Sequence, residues 1–189
     1  MTAAVYLGSR KGNDPKYGRN ARLLGRLLAE AGISVVYGGA KVGTMGELAK
    51  GVLEAGGSLT GVFPKGFKGR KDYADKGIEV KQDGPGIDFV EVPDFDSRIR
   101  EMERRSDICI ILPGSFGTMH EFFSYFEGNE LSSYERRLAI LNTDGYYDPI
   151  LQLVGNMISA GFTDASDMDS LLVASTPEEL VSKLAGLGK

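Results

Sequence analysis

The residues best suited to chemistry lie in Pro113-Gly114-Ser115-Phe116-Gly117-Thr118-Met119-His120-Glu121, directly after the apolar run Ile108-Cys109-Ile110-Ile111-Leu112. A buried strand that ends in a glycine turn and feeds a helix leaves free backbone N–H groups at the strand's carboxyl end, where a phosphate would be held. Glu121 lies one turn into that helix. The element that grips a phosphate therefore also aims a carboxylate at the sugar attached to it, and an anion site beside a carboxylate points to chemistry on a nucleotide. The second candidate is Arg98, near the first turn of a helix predicted over Phe95 to Ser106. A cation there opposes the helix dipole, a mismatch that a ligand anion would repair.

Two further loops follow predicted strands. Gly8-Ser9-Arg10 reads by itself as an ordinary βα turn. In Tyr37-Gly38-Gly39-Ala40-Lys41-Val42-Gly43-Thr44-Met45-Gly46, Gly38 and Gly39 permit close approach of backbone to a ligand, while Gly43 and Gly46 allow tight packing of strand and helix. This loop has neither the GxGxxG spacing of a dinucleotide site nor the GxxxxGK[ST] of a P-loop, so it supports neither nicotinamide chemistry nor ATP hydrolysis. His120 is the sole histidine and has no cluster of metal-ligand residues around it, so no metal and no cofactor is expected. A serine triad is excluded by the lack of a GxSxG elbow.

The elements that must position these residues are legible as an alternation. Apolar runs at Ala3 to Leu7, Ser34 to Tyr37, Leu59 to Val62, Phe89 to Val92, Ile108 to Leu112 and Leu138 to Leu141 read as strands. Between them, Tyr17 to Ala31 and Gly43 to Ala55 carry apolar residues at helical spacing and stop at Gly32 and at Gly56-Gly57. In Phe95 to Ser106 the apolar stripe is Phe95, Ile99 and Met102, with Arg98 on its flank. Ser175-Thr176-Pro177-Glu178 opens a last helix after Leu171-Leu172-Val173. The pattern predicts an α/β fold, a Rossmann-like open parallel sheet with helices on both faces. From Pro64 to Asp88 the rhythm breaks into glycines and lysines, a composition that suits either a lid or a solvated insertion.

Length and charge narrow the class. At 189 residues the chain fits one domain, 1–189, able to bury about 70 % of its unfolded surface. A net charge of -4 and a pI near 5.2 argue against a nucleic-acid partner and favour a small substrate. Cys109 is the only cysteine, so no internal disulfide can form and a reducing cytoplasm is the expected setting. No basic leader and no apolar run of membrane-spanning length is present, so no membrane association is expected.

Taken together, Gly38 to Gly46, Arg98-Ile99-Arg100-Glu101-Met102 and Pro113 to Glu121 resemble the Lonely guy family of cytokinin riboside 5′-monophosphate phosphoribohydrolases, often mislabelled as lysine decarboxylases. The resemblance runs from Val5-Tyr6-Leu7-Gly8-Ser9 through Leu141-Asn142-Thr143-Asp144-Gly145-Tyr146-Tyr147 to Gly161-Phe162. It implies that Arg98 and Glu121 are catalytic. It also implies that Gly114, Ser115, Phe116, Gly117 and Thr118 hold the 5′-phosphate, and that Gly8, Ser9, Gly38, Gly39, Gly43, Thr44 and Met102 meet the rest of the substrate. Against the family's GGGxxGxMG, RKxxM and PGGxGTxxE, Ala40 replaces a glycine, Ser115 replaces a glycine and Ile99 stands where the family has lysine. Arg10 departs from a serine usual in the first loop.

The activity so implied is hydrolysis of the N-glycosidic bond of a nucleoside 5′-monophosphate, AMP-like or a cytokinin riboside monophosphate, to free base and ribose 5-phosphate. Relatives that carry the molybdenum cofactor share the loop architecture, so a non-catalytic carrier of a phosphorylated ligand is the competing expectation; base transfer of the deoxyribosyltransferase kind is a third. Family members form homodimers, and Met102, Phe122, Phe123 and Tyr125 to Phe126 are candidates for the interface, with a purely internal core as the simpler alternative.

Overall fold

The computed structural model describes residues 1–65, 86–131 and 137–186. Strand and helix alternate throughout. The order is β1 (Thr2–Tyr6), α1 (Pro15–Glu30), β2 (Ser34–Tyr37), α2 (Gly43–Glu54), β3 (Leu59–Pro64), β4 (Ile87–Val92), α3 (Phe95–Arg104), β5 (Ile108–Ile111), α4 (Phe116–Leu131), β6 (Arg137–Leu141), α5 (Asp148–Ser159), β7 (Leu171–Ala174) and α6 (Pro177–Gly186). Helix starts have local causes. Asp14 accepts from the Lys16 amide at 2.8 Å ahead of α1, and Asp94 accepts from the Ser97 amide at 2.7 Å ahead of α3. At α6, Thr176 Oγ1 accepts from the Glu179 amide at 3.2 Å while Glu179 Oε2 accepts from the Ser175 amide at 2.8 Å, a reciprocal cap. Gly32 and Gly56, both at φ 70°, follow the ends of α1 and α2 where the sequence predicts left-handed residues.

The strands form one seven-stranded sheet in the order β4-β3-β2-β1-β5-β6-β7, and every pairing is parallel. Strict side-chain alternation divides the core between its faces. Val5, Leu7, Val35 and Tyr37 pack with Leu24 and Leu28 of α1, Leu48 of α2 and Leu180 of α6. Ala4, Tyr6, Val36 and Val62 pack on the other face with Met102 of α3 and with Phe122 and Tyr125 of α4. Each fully buried leucine or phenylalanine contributes about 1.5–3 kcal/mol by leaving water.

This packing decides between alternatives the sequence left open. Met102, Phe122 and Tyr125 are inside the chain's own core, so of the candidate interface residues only Phe123 is exposed and Phe126 half-buried. Leu171–Ala174, read only as a lead into the last helix, is an edge strand paired with β6. Residues 66–85 of the predicted lid lie outside the described residues. Among the described residues no helix is long and apolar enough to cross a membrane.

Strand order places the site. β1 pairs with both β2 and β5, so the chain runs outward through β2, β3 and β4 and then returns to the other side of β1. Such a reversal opens a crevice at the carboxyl ends of the two central strands. There the Gly8 amide donates to the Pro113 carbonyl at 3.3 Å, tying the first loop to the loop that opens α4.

Candidate functional site

Arg98 and Glu121 form the centre of this crevice. Arg98 belongs to the first turn of α3, yet its side chain turns inward and the residue is 8 % exposed. Its Nη1 donates to Glu121 Oε1 at 2.9 Å and its Nε donates to the Val62 carbonyl at 3.1 Å. The dipole mismatch expected of Arg98 is therefore met by Glu121 and a backbone carbonyl, not left for a ligand to repair. Space for the guanidinium depends on Gly38, where an added Cβ would lie 2.0 Å from Arg98 Nη2. Sequence spacing carries no trace of that requirement.

Glu121 is 5 % exposed. Burial pushes its carboxyl above the usual carboxylate range, because a charge is costly away from water, and the Arg98 guanidinium opposes this through both its charge and its hydrogen bond. Only Oε1 is engaged; Oε2 accepts no hydrogen bond among the described residues. A partly desolvated carboxylate with one free oxygen facing a cavity is chemically a base, a hydroxyl acceptor or a stabiliser of developing positive charge.

The cavity encloses about 680 Å³ of space open to solvent. Of the predicted site residues, Gly8, Ser9, Gly38, Arg98, Ser115, Gly117, Thr118 and Glu121 line it. The others are placed elsewhere. Gly114 and Thr44 face a neighbouring cavity, and the Phe116 side chain is 93 % exposed to solvent. Gly39 lies against Phe63 and Gly61, and Met102 is fully buried in the core. Gly43 is a packing position: its φ is +66°, and a Cβ there would sit 2.4 Å from the Ser9 backbone. Leu7, Ala40, Met45, Pro64 and Phe95 line the cavity without having been singled out, since an apolar wall residue reads in sequence as core.

The departures from the family motifs fit the backbone without strain. Asp144 is the only described non-glycine residue at positive φ, so Ala40 and Ser115 carry no backbone strain. Ile99 is buried and is not a cavity-lining residue.

The loop leading into α4 is held from behind. Tyr147 Oη donates to the Leu112 carbonyl at 2.6 Å, and Tyr146 Oη donates to the Gly114 carbonyl. The tyrosines are themselves set by Asn142, whose Oδ1 accepts from the Tyr147 amide at 2.7 Å and whose Nδ2 donates to Asp148 Oδ1 at 2.7 Å. The first amides of α4 are thus free of helical partners and fixed in position, because a helix leaves its leading N–H groups without internal acceptors. Among the described residues no group of His, Cys, Asp and Glu is arranged to hold a metal ion.

An all-parallel open sheet with its crevice at the strand-order reversal makes this a Rossmann-like α/β protein. Solved structures agree in fold. The molybdenum cofactor binding protein from Rippkaea orientalis superposes with a TM-score of 0.68 at 18 % identity over 100 % of this chain and 97 % of that one. The molybdenum cofactor carrier protein of Chlamydomonas reinhardtii gives 0.70 at 18 % identity over 100 % and 98 %. Sequence is more specific. A family model described as "Possible lysine decarboxylase" matches residues 45–184. The chain is 37 % identical, over 95 % of its length and 77 % of the relative's, to a protein of Oryza sativa subsp. japonica named as a "probable" cytokinin riboside 5′-monophosphate phosphoribohydrolase. It is 34 % identical to the cytokinin riboside 5′-monophosphate phosphoribohydrolase LOG of the same organism (95 % and 71 %), and 32 % identical to one of Arabidopsis thaliana (95 % and 80 %). The chain belongs to the Lonely guy (LOG) family.

Proposed function

We propose that the protein hydrolyses the N-glycosidic bond of a nucleoside 5′-monophosphate, releasing the free base and ribose 5-phosphate. The observation that carries this reading is the Arg98–Glu121 pair, buried in the wall of a cavity that Ser115, Gly117 and Thr118 at the amino end of α4 also line. The 5′-phosphate lies against the first amides of α4, with Ser115, Gly117 and Thr118 beside it. It is not transformed; its binding energy positions the sugar. As the C1′–N bond breaks, its electron pair leaves with the base and positive charge grows on the ribose ring. Glu121 Oε2 holds the ribose hydroxyls and faces that charge. Water adds at C1′ and its proton passes, directly or through Glu121, to the departing base. Arg98 keeps Glu121 ionised and oriented.

A homodimer in a reducing cytoplasm belongs to the same reading. The exposed Phe95, Phe116 and Phe123 on α3 and α4 supply an apolar face for a second copy, and Cys109 is a free buried thiol.

The test is incubation of the purified chain with AMP, GMP, CMP, UMP, IMP and isopentenyladenosine monophosphate, assaying free base and ribose 5-phosphate. Release is expected to fall about 100-fold or more in kcat for Glu121→Gln with KM nearly unchanged. Binding without release in the native chain would replace hydrolysis by carriage of a phosphorylated ligand.

A further inference from the structure

We infer that Tyr146 and Tyr147 are positioning residues for the 5′-phosphate: each holds a carbonyl of the turn between β5 and α4, and together they fix the peptide plane that presents the Ser115 amide to the anion. The inference deepens the nucleotide reading above and rests on it for the identity of that anion.

Three successive carbonyls of the turn are held. Tyr147 Oη donates to the Leu112 carbonyl at 2.6 Å, the Gly8 amide donates to the Pro113 carbonyl at 3.3 Å, and Tyr146 Oη donates to the Gly114 carbonyl. In a planar trans peptide the N–H points opposite to the C=O. Holding the Gly114 carbonyl on Tyr146 therefore turns the Ser115 N–H to the other side of the chain, and that amide donates no hydrogen bond among the described residues. Ser115 lines the cavity that Arg98 and Glu121 line. Gly114 has no side chain to hinder rotation of the plane it shares with Ser115, so the hydrogen bond on its carbonyl selects the orientation.

The two hydroxyls are separable from the packing of their rings. The Tyr147 ring is fully buried in the core, where a phenylalanine would fill the same space; its hydroxyl is there for the Leu112 carbonyl. Burial pushes the Tyr147 phenol above the ordinary tyrosine value, so at neutral pH it keeps the proton it donates. The Tyr146 ring meets Tyr147 edge to face at 5.0 Å and Tyr17 at 6.1 Å, and its hydroxyl reaches past them to Gly114.

The segment that carries the tyrosines is itself pinned on two sides. Toward α1, Asn20 Nδ2 donates to Thr143 Oγ1 at 3.1 Å and Lys16 pairs with Asp144. Toward α5, Asn142 Nδ2 donates to Asp148 Oδ1 at 2.7 Å while its Oδ1 accepts from the Tyr147 amide at 2.7 Å. Asp144 and Gly145, at φ 51° and 72°, make the tight turn between these anchors. No residue of 142–148 is among those lining the cavity of Arg98 and Glu121, so the segment acts on the site through the turn it holds. A phosphate then meets an amide already oriented, and its binding energy is not diverted into ordering the backbone.

Calorimetry on the intact chain with ribose 5-phosphate and with adenine, the two products of the proposed reaction on AMP, reads the phosphate and base ends separately and needs no turnover. Tyr147→Phe and Tyr146→Phe keep the rings and remove one hydroxyl each. Ribose 5-phosphate is expected to bind about tenfold more weakly to either variant, the scale of one hydrogen bond, while adenine affinity stays within about twofold. Asn142→Ala is expected to repeat the loss. Asn142→Asp/Asp148→Asn reverses donor and acceptor in that pair and keeps an acceptor for the Tyr147 amide, so it is expected to return ribose 5-phosphate affinity to within about threefold of the native chain. Unchanged ribose 5-phosphate affinity in both phenylalanine variants overturns the inference, and so does an equal loss for adenine, the mark of general loosening. Incubating the native chain with AMP separates this inference from the reading it rests on. Tyrosine-dependent binding of ribose 5-phosphate without release of adenine sinks hydrolysis alone, and release with no loss of phosphate affinity in the variants sinks the positioning role alone. No binding of ribose 5-phosphate by the native chain sinks both.

Discussion

Replacing Arg98 by methionine removes the main cation that offsets burial of Glu121, with His120 a lesser contributor, and leaves the surrounding volume nearly filled. The Nη1 to Oε1 hydrogen bond of 2.9 Å is lost, and a carboxyl group that is 5 % exposed keeps no ion pair among the described residues. Breaking a buried ion pair from one side costs about 3–5 kcal/mol, because the remaining charge is neither hydrated nor compensated. The cost is also pH-dependent. Burial already raises the Glu121 carboxyl in the native chain against the opposition of Arg98, and removing that opposition raises it further. A carboxyl raised on folding binds its proton more tightly in the folded state than in the unfolded one. Its contribution is therefore full below the ordinary carboxylate range and is lost as pH rises through the folded value, at up to about 1.4 kcal/mol per pH unit. Urea unfolding at pH 5 to 9 measures both quantities. Arg98→Met is expected to be several kcal/mol less stable than the native chain at pH 8, with much of the loss recovered at pH 5. Glu121→Gln, which still offers an oxygen to Nη1, loses about 1 kcal/mol, and Arg98→Met/Glu121→Leu regains most of the deficit of Arg98→Met. A loss below about 1 kcal/mol for Arg98→Met, with no slope in pH, would falsify the claim that this pair is electrostatically coupled and desolvated.

Gly38→Ala places a Cβ 2.0 Å from Arg98 Nη2 and 3.2 Å from Met45 Sδ, so the guanidinium must shift; base release is expected to fall about 100-fold, the scale of a displacement of about 1 Å at a reacting group, with the fold retained by circular dichroism. The acid limb of kcat against pH should lie above the ordinary carboxylate value, because Glu121 must be ionised to act and burial raises it; a limb at or below that value in a pH–rate profile would remove Glu121 from the chemistry. Glu101, held down to about 2 first by its hydrogen bonds from Arg104 and then by Arg105, stabilises the fold above its unfolded value and loses that contribution as pH falls towards 2. Being a surface pair it contributes below about 1 kcal/mol, and acid titrations of Glu101→Gln should lack that step. Gly43→Ala meets both a φ of +66° and the Ser9 backbone 2.4 Å away, so a loss of more than about 1 kcal/mol is expected in thermal unfolding, with little tolerance for any larger side chain.

What the amino-acid sequence determined by itself was local. β-branched runs flanked by turns specified β1 to β6, and glycines at φ 70° stopped α1 and α2 where their periodicity ended. A capping pattern opened α6, and the glycine turn after β5 marked the start of α4. Each of these depends on residues a few positions apart, within reach of one turn or one pleat. The tertiary structure decided the rest. Leu171–Ala174 is a strand because β6 offers it a parallel edge. Arg98 faces inward because strand order brings α3 and α4 together at the carboxyl edge, where Glu121 and the Val62 carbonyl wait and Gly38 leaves room. Met102 belongs to the core and Phe116 to the surface, although both fall inside motifs that read as substrate contacts. Periodicity tells which side of an element is apolar; it does not tell which element lies opposite. That choice belongs to the order β4-β3-β2-β1-β5-β6-β7, which is set by the whole chain at once, and it is what places a guanidinium, a carboxylate and a row of free amides around one cavity.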